Sequence, residues 1–533
     1  MDKGAYMASS VVIVGGGTAG WMTASYLKAA FGDRISVTLV ESKNVPAIGV
    51  GEATFSTIRH FFNYLGVQEH EWMPECHATY KLAVRFEDWR EPGHTFYHPF
   101  ERNRVVDGFP LTDWWVQKKP TERFDTDSFL IASMCDAQSS PRYLDNSLFD
   151  STFERGEEYR TTLSEQNTQF PYAYHFDATL LSKFLTRFGV ERGVRHVLDD
   201  VVDVVLDDQG AIDHVRTREQ GDVHGDLFVD CTGFRSLLVN KALDEPFISF
   251  QNHLPNDSAV ALRVPVDMAE HGIRPATTAT AKDAGWIWTI PLFERLGTGY
   301  VYASEYATPD EAERTLREFV GPAAENATAN HIRMRIGRSE RAWVKNCVAI
   351  GLSNGFVEPL ESTGIFIIQN GIEQLVKNFP LGHEATDDQL RKTYNRQAAH
   401  VMDGLREFMV LHWYASGRAD NQYWKDTKTR EIPDGLAERL EQWKTKLPDQ
   451  DSIYPHYHGF ESYSYRAIIL GLGGLPVQPL PVLGKLDGTA ADREFQLVAD
   501  QAAALVEKLP SQYEYFAHLH GLPAAQRKAD AAR

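Results

Sequence analysis

The first forty residues constrain the fold more than any other part of the chain. Val11-Val12-Ile13-Val14 is a short apolar, β-branched run, the composition of a strand buried on both faces. Gly15-Gly16-Gly17-Thr18-Ala19-Gly20 follows at once. Trp21 to Phe31 has helix-forming composition, and Ser36-Val37-Thr38-Leu39-Val40 is a second strand that ends on Glu41. A lone G-x-G-x-x-G is a weak signal. Here it follows a strand, opens a helix and stands 21 residues before an acid, which specifies a βαβ dinucleotide site. Gly15 permits the tight turn, Gly17 lets a pyrophosphate approach the backbone, and Gly20 lets helix and strand pack closely. The unpaired N–H groups of the helix start, at Thr18 and Ala19, face phosphate, and Glu41 accepts hydrogen bonds from a ribose.

The remaining pattern is mixed. Strands are expected near Tyr80–Phe86, Val197–Leu206, Leu227–Val229, Ala259–Val264, Trp286–Ile290, Gly299–Ala303 and Cys347–Gly351. Helices are expected near Leu180–Arg192, Pro309–Phe319, Phe366–Phe379, Asp387–Trp413 and Ala490–Leu509. Trp89–Pro171 is rich in aromatic, proline and polar residues with weak periodicity and reads as an insertion covering a pocket. Glu431–Pro481 reads as loop-rich. With 533 residues, 43% of them apolar, the chain can bury one large core or two modest ones. The expected unit spans 10–525. Its nucleotide module covers about 10–88 and 172–375, and its substrate module about 89–171 and 376–525. Residues 1–9 and 526–533 are expected to be disordered tails.

Composition excludes several functions. A formal net charge of −19 repels nucleic acid and anionic membrane. No apolar run approaches the roughly 20 residues of a membrane span. The cysteines, Cys76, Cys135, Cys231 and Cys347, have neither metal-knuckle nor disulfide-framework spacing, so no metal site is expected. A soluble cytoplasmic protein is the expectation.

Asp226-Leu227-Phe228-Val229-Asp230-Cys231-Thr232-Gly233 is an apolar strand ending in Asp-x-Thr-Gly. It resembles the later FAD contact of glutathione-reductase-type flavoproteins. Cys347-Val348-Ala349-Ile350-Gly351-Leu352 is a further strand and turn, which in that family type reaches the flavin; Leu352 replaces the usual acid. The fold class is therefore α/β: a Rossmann-type FAD-binding module of the glutathione-reductase/aromatic-hydroxylase type, with a largely helical and loop-rich substrate module. A second complete glycine fingerprint is not evident, so reduced flavin is expected from a separate NAD(P)H-dependent reductase.

Gly285-Trp286-Ile287-Trp288-Thr289-Ile290-Pro291 carries the pattern W-x-W-x-I-P. Gly49-Val50-Gly51-Glu52-Ala53-Thr54, Ala78-Thr79-Tyr80-Lys81-Leu82-Ala83 and Phe356-Val357-Glu358-Pro359-Leu360-Glu361-Ser362-Thr363-Gly364-Ile365 accompany it. On these motifs the chain resembles the flavin-dependent tryptophan halogenases over about Val11 to Phe516. The resemblance implies that reduced FAD, dioxygen and chloride or bromide yield hypohalous acid, which travels to the substrate. Lys81 matches the essential lysine, which hydrogen-bonds that acid or forms a chloramine. Glu361 matches the second catalytic residue, a carboxylate that stabilises the cationic ring intermediate and accepts its proton. Thr363 and Gly364, at a helix start, suit the halide. Flavin contacts are implied for Ile48, Gly51, Glu52, Ala53, Val201, Trp286, Leu352 and Ile365, and the loop Ile48–Ser56 resembles the strap linking the two sites. The W-x-W-x-I-P strand is implied to suppress monooxygenation.

For the substrate, the resemblance suggests Phe55, Ser56, Tyr97, His98, Pro99, Gln166, Gln169, Trp288, Ser362, Tyr457, Phe460, Glu461, Tyr463 and Ser464, with Glu461 pairing with the ammonium of free L-tryptophan. Ala78–Phe109 and Leu111-Thr112-Asp113-Trp114-Trp115 look most like the bacterial tryptophan 6-halogenases, with the 5-halogenases close behind. Family members often form homodimers. Three alternatives stay open: a single-component FAD/NADPH aromatic hydroxylase, a non-catalytic flavin-binding protein, and a halogenase of a carrier-tethered pyrrole or phenol.

Overall fold

The computed structural model describes residues 8–45, 51–149, 172–380, 384–453 and 458–522, with the backbone alone for 384–386. The proposed contacts Ile48, Gln166, Gln169 and Tyr457 lie outside the described residues, as does the segment 526–533.

The N-terminal unit forms as its pattern predicts. Strand Ser10–Val14, helix Thr18–Phe31 and strand Ser36–Glu41 follow in order. Val11, Val12 and Ile13 are at most 1% exposed, as a strand covered on both faces requires. This strand lies inside a sheet ordered Arg195–Leu198, Ser36–Glu41, Ser10–Val14, Leu227–Asp230, Cys347–Ala349 and Trp343–Val344. All neighbours pair in parallel except the last two. Ser9 and Ser10 anchor the chain start by donating to the Asp226 carboxylate.

A larger sheet runs in the order Asn330–Arg333, Ser258–Pro265, Arg295–Tyr302, Gly285–Pro291, Ala276–Lys282, Ala83–Glu87 and Thr95–Pro99. A third, small sheet joins Gly51–Ala53, Ala173–Asp177 and Thr79–Lys81. The expected strand Tyr80–Phe86 is therefore two strands in two sheets. The break is at Leu82, whose N–H goes to Pro275 O and whose carbonyl accepts from Phe100 N. Lys81 is the last residue before this switch, so two sheets fix its backbone. The expected strand Val197–Leu206 divides likewise at Asp199-Asp200, its halves serving different sheets.

Three smaller sheets and a set of helices make up the other described elements. Glu384–Ala415, 32 residues and about 48 Å long, packs on Ser462–Leu472 and on Thr363–Lys377. The region Glu431–Pro481 is less loop-rich than its prolines suggest, because Asp434–Trp443 and Ser462–Leu472 are helical. Pro433 starts the first of these rather than breaking it, since proline is tolerated where the N–H would be unpaired. Among the described residues no helix is long and apolar enough to cross a membrane.

Candidate active site

The glycine turn has the shape a pyrophosphate needs. Gly15 has φ +114°, and a Cβ there would strike the Cys231 carbonyl; a Cβ at Gly20 would strike the Gly15 carbonyl. Gly17 differs: a Cβ there would meet nothing within 4 Å. It caps helix Thr18–Phe31 with no side chain on the first amides. Glu41 stands beside this turn. Its Oε2 takes His196 Nε2 at 2.9 Å and Trp21 Nε1 at 3.3 Å, which leaves Oε1 for a ribose. The turn Gly351–Ser353, holding Leu352, packs Gly351 against Ala19 and Ile368, so the nucleotide turn and the helix bearing Ile365 share one seat. Open space over Gly17, uncapped amides and a positioned carboxylate together fit FAD. Asp230 is committed elsewhere: it accepts from Thr232, Leu238 and Val239 and ties the Asp-x-Thr-Gly turn to the next helix. Gly17→Val is expected to weaken FAD binding at least tenfold in a fluorescence titration, with stability within about 0.5 kcal/mol of the parent.

The reactive groups converge at the sheet switch. Lys81 is fully buried, and its Nζ donates to Ser362 Oγ at 2.8 Å and to the Thr54 carbonyl at 3.0 Å. Burial pushes its pKa down from 10.5 to about 7, with Glu361 opposing. Thr54 is itself held by paired hydrogen bonds to Tyr174 of the small sheet. Ser362 is left-handed, φ 61°, an uncommon conformation for a residue with a side chain. It aims its hydroxyl at Lys81 and starts helix Thr363–Lys377, again with no side-chain cap. Thr363 Oγ1 is buried without a hydrogen-bond partner, and a Cβ at Gly364 would meet nothing within 4 Å. Uncapped amides, an unpaired hydroxyl and free space suit a halide.

Glu361 ends the turn Pro359–Glu361 and is also fully buried. Its carboxylate meets His98 Nδ1 at 2.9 and 3.0 Å and His412 Nε2 at 3.0 Å. Burial alone would raise its pKa; the two histidines outweigh that and bring it to about 2. His412 Nδ1 lies 2.7 Å from the Phe408 carbonyl, so its two ring nitrogens face a carbonyl and the Glu361 carboxylate. His98 spends Nδ1 on Glu361, and its buried Nε2 has no hydrogen-bond partner. Phe100, Phe408, Phe460 and Tyr463 lie around that ring at 6.1 to 6.5 Å. Phe55 touches Phe100 and Phe460 edge-on. Aromatic rings clustered beside an unpaired polar atom are the chemistry that suits an indole.

Other candidates fall outside this cluster. Tyr97 alternates with His98 on its strand, and its hydroxyl bonds Asp136 and Arg274 on the opposite face; Pro99 shares the face of Tyr97. Neither side chain joins the aromatic cluster around His98. Glu461 is part-exposed, and each of its carboxylate oxygens accepts one hydrogen bond from Arg102. Ser464 Oγ, by contrast, is buried and unpartnered. Ser56 leads into helix Ile58–Leu65. Trp288 lies over Gly299, where any side chain would collide with its ring. Glu52 and Ala53 pair with the strand Ala173–Asp177; burial and then Asp177 push the Glu52 carboxyl up to about 7.

Sequence reasoning missed Phe100, whose ring lies 5.0 Å from Lys81 Nζ, and also Phe408, His412 and Glu358. Phe100 was within reach, since it follows His98 by two, just past the end of strand Thr95–Pro99. Nothing local marks His412. Glu358 is fully buried and accepts from Trp286 Nε1 at 3.0 Å, Trp413 Nε1 at 2.5 Å and Asn256 Nδ2 at 2.8 Å. It thereby ties the W-x-W-x-I-P strand to the turn that carries Glu361. Glu358→Gln would point an amide N–H at an indole N–H, and is expected to cost about 2 kcal/mol in denaturant unfolding.

The tryptophan halogenase family matches residues 10–488. Over 511 residues the chain is 64% identical to the tryptophan 6-halogenase SttH of Streptomyces toxytricini, covering 95% of this chain and 97% of that one. It is 62% identical to the 7-chloro-L-tryptophan 6-halogenase KtzR of Kutzneria sp. (strain 744), covering 96% of this chain and all of KtzR. Among solved structures, Tar14, a tryptophan C-6 flavin-dependent halogenase (chlorinase) from taromycin biosynthesis, superposes with a TM-score of 0.92 at 63% identity, covering 96% of this chain and all of Tar14. With that similarity over nearly its whole length, this chain belongs to the tryptophan halogenase family.

Proposed function

We propose that this protein is an FADH2-dependent halogenase that installs chlorine or bromine at C6 of the indole ring of free L-tryptophan. The observation that carries the reading is a fully buried lysine, Lys81, hydrogen-bonded to Ser362, the residue next to a buried carboxylate, Glu361, with aromatic side chains clustered around that carboxylate's partner His98. Position 6 rests on SttH, KtzR and Tar14, whose names all specify it.

Reduced FAD, when bound, supplies hypohalous acid from dioxygen and halide. Gly15, Gly17, Thr18, Ala19, Gly20 and Glu41 would hold its pyrophosphate and ribose, with Gly51, Glu52, Ala53, Val201, Trp286, Leu352 and Ile365 as further contacts. A separate NAD(P)H-dependent reductase would supply the reduced cofactor. Thr363 and Gly364 offer backbone N–H groups to the halide.

With a pKa of about 7, Lys81 presents a free amine to a substantial fraction of turnovers at neutral pH. Ser362 and the Thr54 carbonyl fix its direction. It either hydrogen-bonds hypohalous acid or attacks its halogen. In the second case an N–halogen bond forms, the O–halogen bond breaks, and the departing hydroxide takes the amine proton as water. Either route holds the electrophile at one place, and regiochemistry becomes a matter of how the indole is seated.

C6 then bonds the halogen as the N–halogen or O–halogen bond breaks, its electron pair returning to the Lys81 nitrogen or leaving with hydroxide that takes a proton from Lys81 as water, and positive charge spreads over the ring. Glu361 lies beside that charge as an anion and takes the proton from C6. A carboxylate of pKa about 2 is a weak base, but a ring cation of this kind is so strong an acid that charge and position matter more than basicity. His98 and His412 keep Glu361 ionised despite burial.

Turnover requiring both a flavin reductase and a halide tests the class. Tryptophan hydroxylation with NADPH alone would identify an aromatic hydroxylase instead. KtzR favours one refinement of the substrate: its name specifies 7-chloro-L-tryptophan. A competition between tryptophan and 7-chlorotryptophan, read by mass spectrometry, decides which is preferred.

A further inference from the structure

We propose that the meander of strands Val201–Leu206, Ile212–Thr217 and Asp222–His224 carries a site for a divalent transition-metal ion of the zinc class, ligated by His214 Nδ1, His224 Nδ1 and the Asp213 carboxylate. Each of the three side chains offers a ligand atom within 4.8 Å of those of the other two. Asp213 Oδ2 is 2.6 Å from His214 Nδ1 and 3.7 Å from His224 Nδ1. Tetrahedral zinc with bonds near 2.0 Å separates its ligand atoms by about 3.3 Å. Asp213 and His224 are exposed, so their side chains are free to turn toward that spacing when an ion binds.

Two features of the backbone build the cluster. His214 and His224 are directly opposed across an antiparallel pair, so both rings rise from one face. Asp213 and His214 are consecutive and would ordinarily point to opposite faces. Here the register slips: Val205 pairs with His214 and Leu206 with Ile212, which leaves Asp213 as the extra residue of a β-bulge. A bulge re-aims a side chain, and this one turns Asp213 onto the face of the histidines.

The surroundings are those of a ligating histidine. His214 is nearly buried, and its other nitrogen, Nε2, faces Asp222 Oδ2 at 3.3 Å. On metal binding, Nδ1 would give up its hydrogen bond to Asp213 to the ion, and Asp222 would accept the proton that Nε2 then carries. Arg216 Nη2 also lies 3.3 Å from Nε2, and its Nε holds Asp222 at 3.0 Å. The guanidinium is therefore on the side of the ring away from the proposed ion, and its charge is matched by Asp222 and by Asp203 at 3.7 Å. Imidazole and carboxylate donors together select zinc, copper or nickel over magnesium or calcium. Three protein ligands leave the fourth position to water. The opposite face of the meander packs Ile212, Val215 and Val223 into one core with Val12, Val14 and Val40 of the nucleotide sheet. An ion here would clamp the outer layer of that unit, away from Lys81 and Glu361.

Calorimetric titration of ZnCl2 into tag-free, chelator-treated full-length protein is the test, with thermal melting alongside. The proposal expects one ion per chain, a raised melting temperature, and an affinity at least tenfold weaker in His224→Ala, an exposed position whose loss leaves the fold intact. Asp222→Asn is expected to weaken binding about tenfold through the His214 tautomer. Absence of stoichiometric binding, or binding and melting that His224→Ala and Asp213→Asn both leave unchanged, would overturn it.

Discussion

Replacing Lys81 by methionine is expected to abolish halogenation and to leave flavin binding and oxidation intact, so that reduced cofactor is consumed and peroxide or hypohalous acid escapes. Lys81 touches Ser362 and Thr54 and none of the residues of the glycine turn. Product analysis by mass spectrometry, beside oxygen consumption, separates the two effects. Normal chlorination by this variant would contradict the mechanism. The same change should make the protein more stable. The lysine titrates near 7 when folded and near 10.5 when unfolded. Between those values the unfolded chain binds a proton that the folded chain lacks, so the parent loses stability as pH falls from 10.5 to 7. Below 7 the cost is fully present. Lys81→Met removes it, less the two lost hydrogen bonds, for a net gain of roughly 1–3 kcal/mol at neutral pH that fades toward pH 10.5. A catalytic group held at a cost in stability is common where activity and folding compete.

Glu361→Gln is expected to lower kcat about 10²- to 10⁴-fold with the tryptophan KM little changed. The amide keeps the volume but removes the charge beside the ring cation. Because the Glu361 carboxyl titrates near 2, the parent should show no acid limb from it between pH 5 and 8. Freeing of the Lys81 amine is expected to raise the rate with pH near 7, the range in which the Glu52 carboxyl also titrates, and loss of that rise in Glu52→Gln would assign it to Glu52 instead. Steady-state rates against pH, with flavin oxidation as the internal control, check both.

The nucleotide end of the molecule was legible because its signals are local. A β-branched run, a glycine spacing and an acid at a set distance each report on their own backbone, and strand Ser10–Val14, helix Thr18–Phe31 and Glu41 stand where the pattern puts them. Lys81 and Glu361 were legible as motif residues, but their surroundings were not. Strand periodicity ran through Leu82 because nothing in Tyr80–Phe86 announces that Pro275 and Phe100 take its backbone groups. His412 looked like any residue of a long helix, and only the packing of that helix brings it to Glu361. Tyr97 joined the substrate candidates beside His98 although neighbours on a strand face opposite ways, and its hydroxyl duly points to Asp136 and Arg274. Glu461 carried the right charge for an ammonium, but its pairing with Arg102, 359 positions away, is a tertiary fact.

The most direct measurement is NMR of the product formed from L-tryptophan with FAD, a flavin reductase, NADH, oxygen and chloride. The expected product is 6-chlorotryptophan, formed only when chloride and the reductase are both present. A hydroxylated indole, chlorine at another carbon, or unchanged tryptophan in the presence of oxidised flavin would contradict the proposed function.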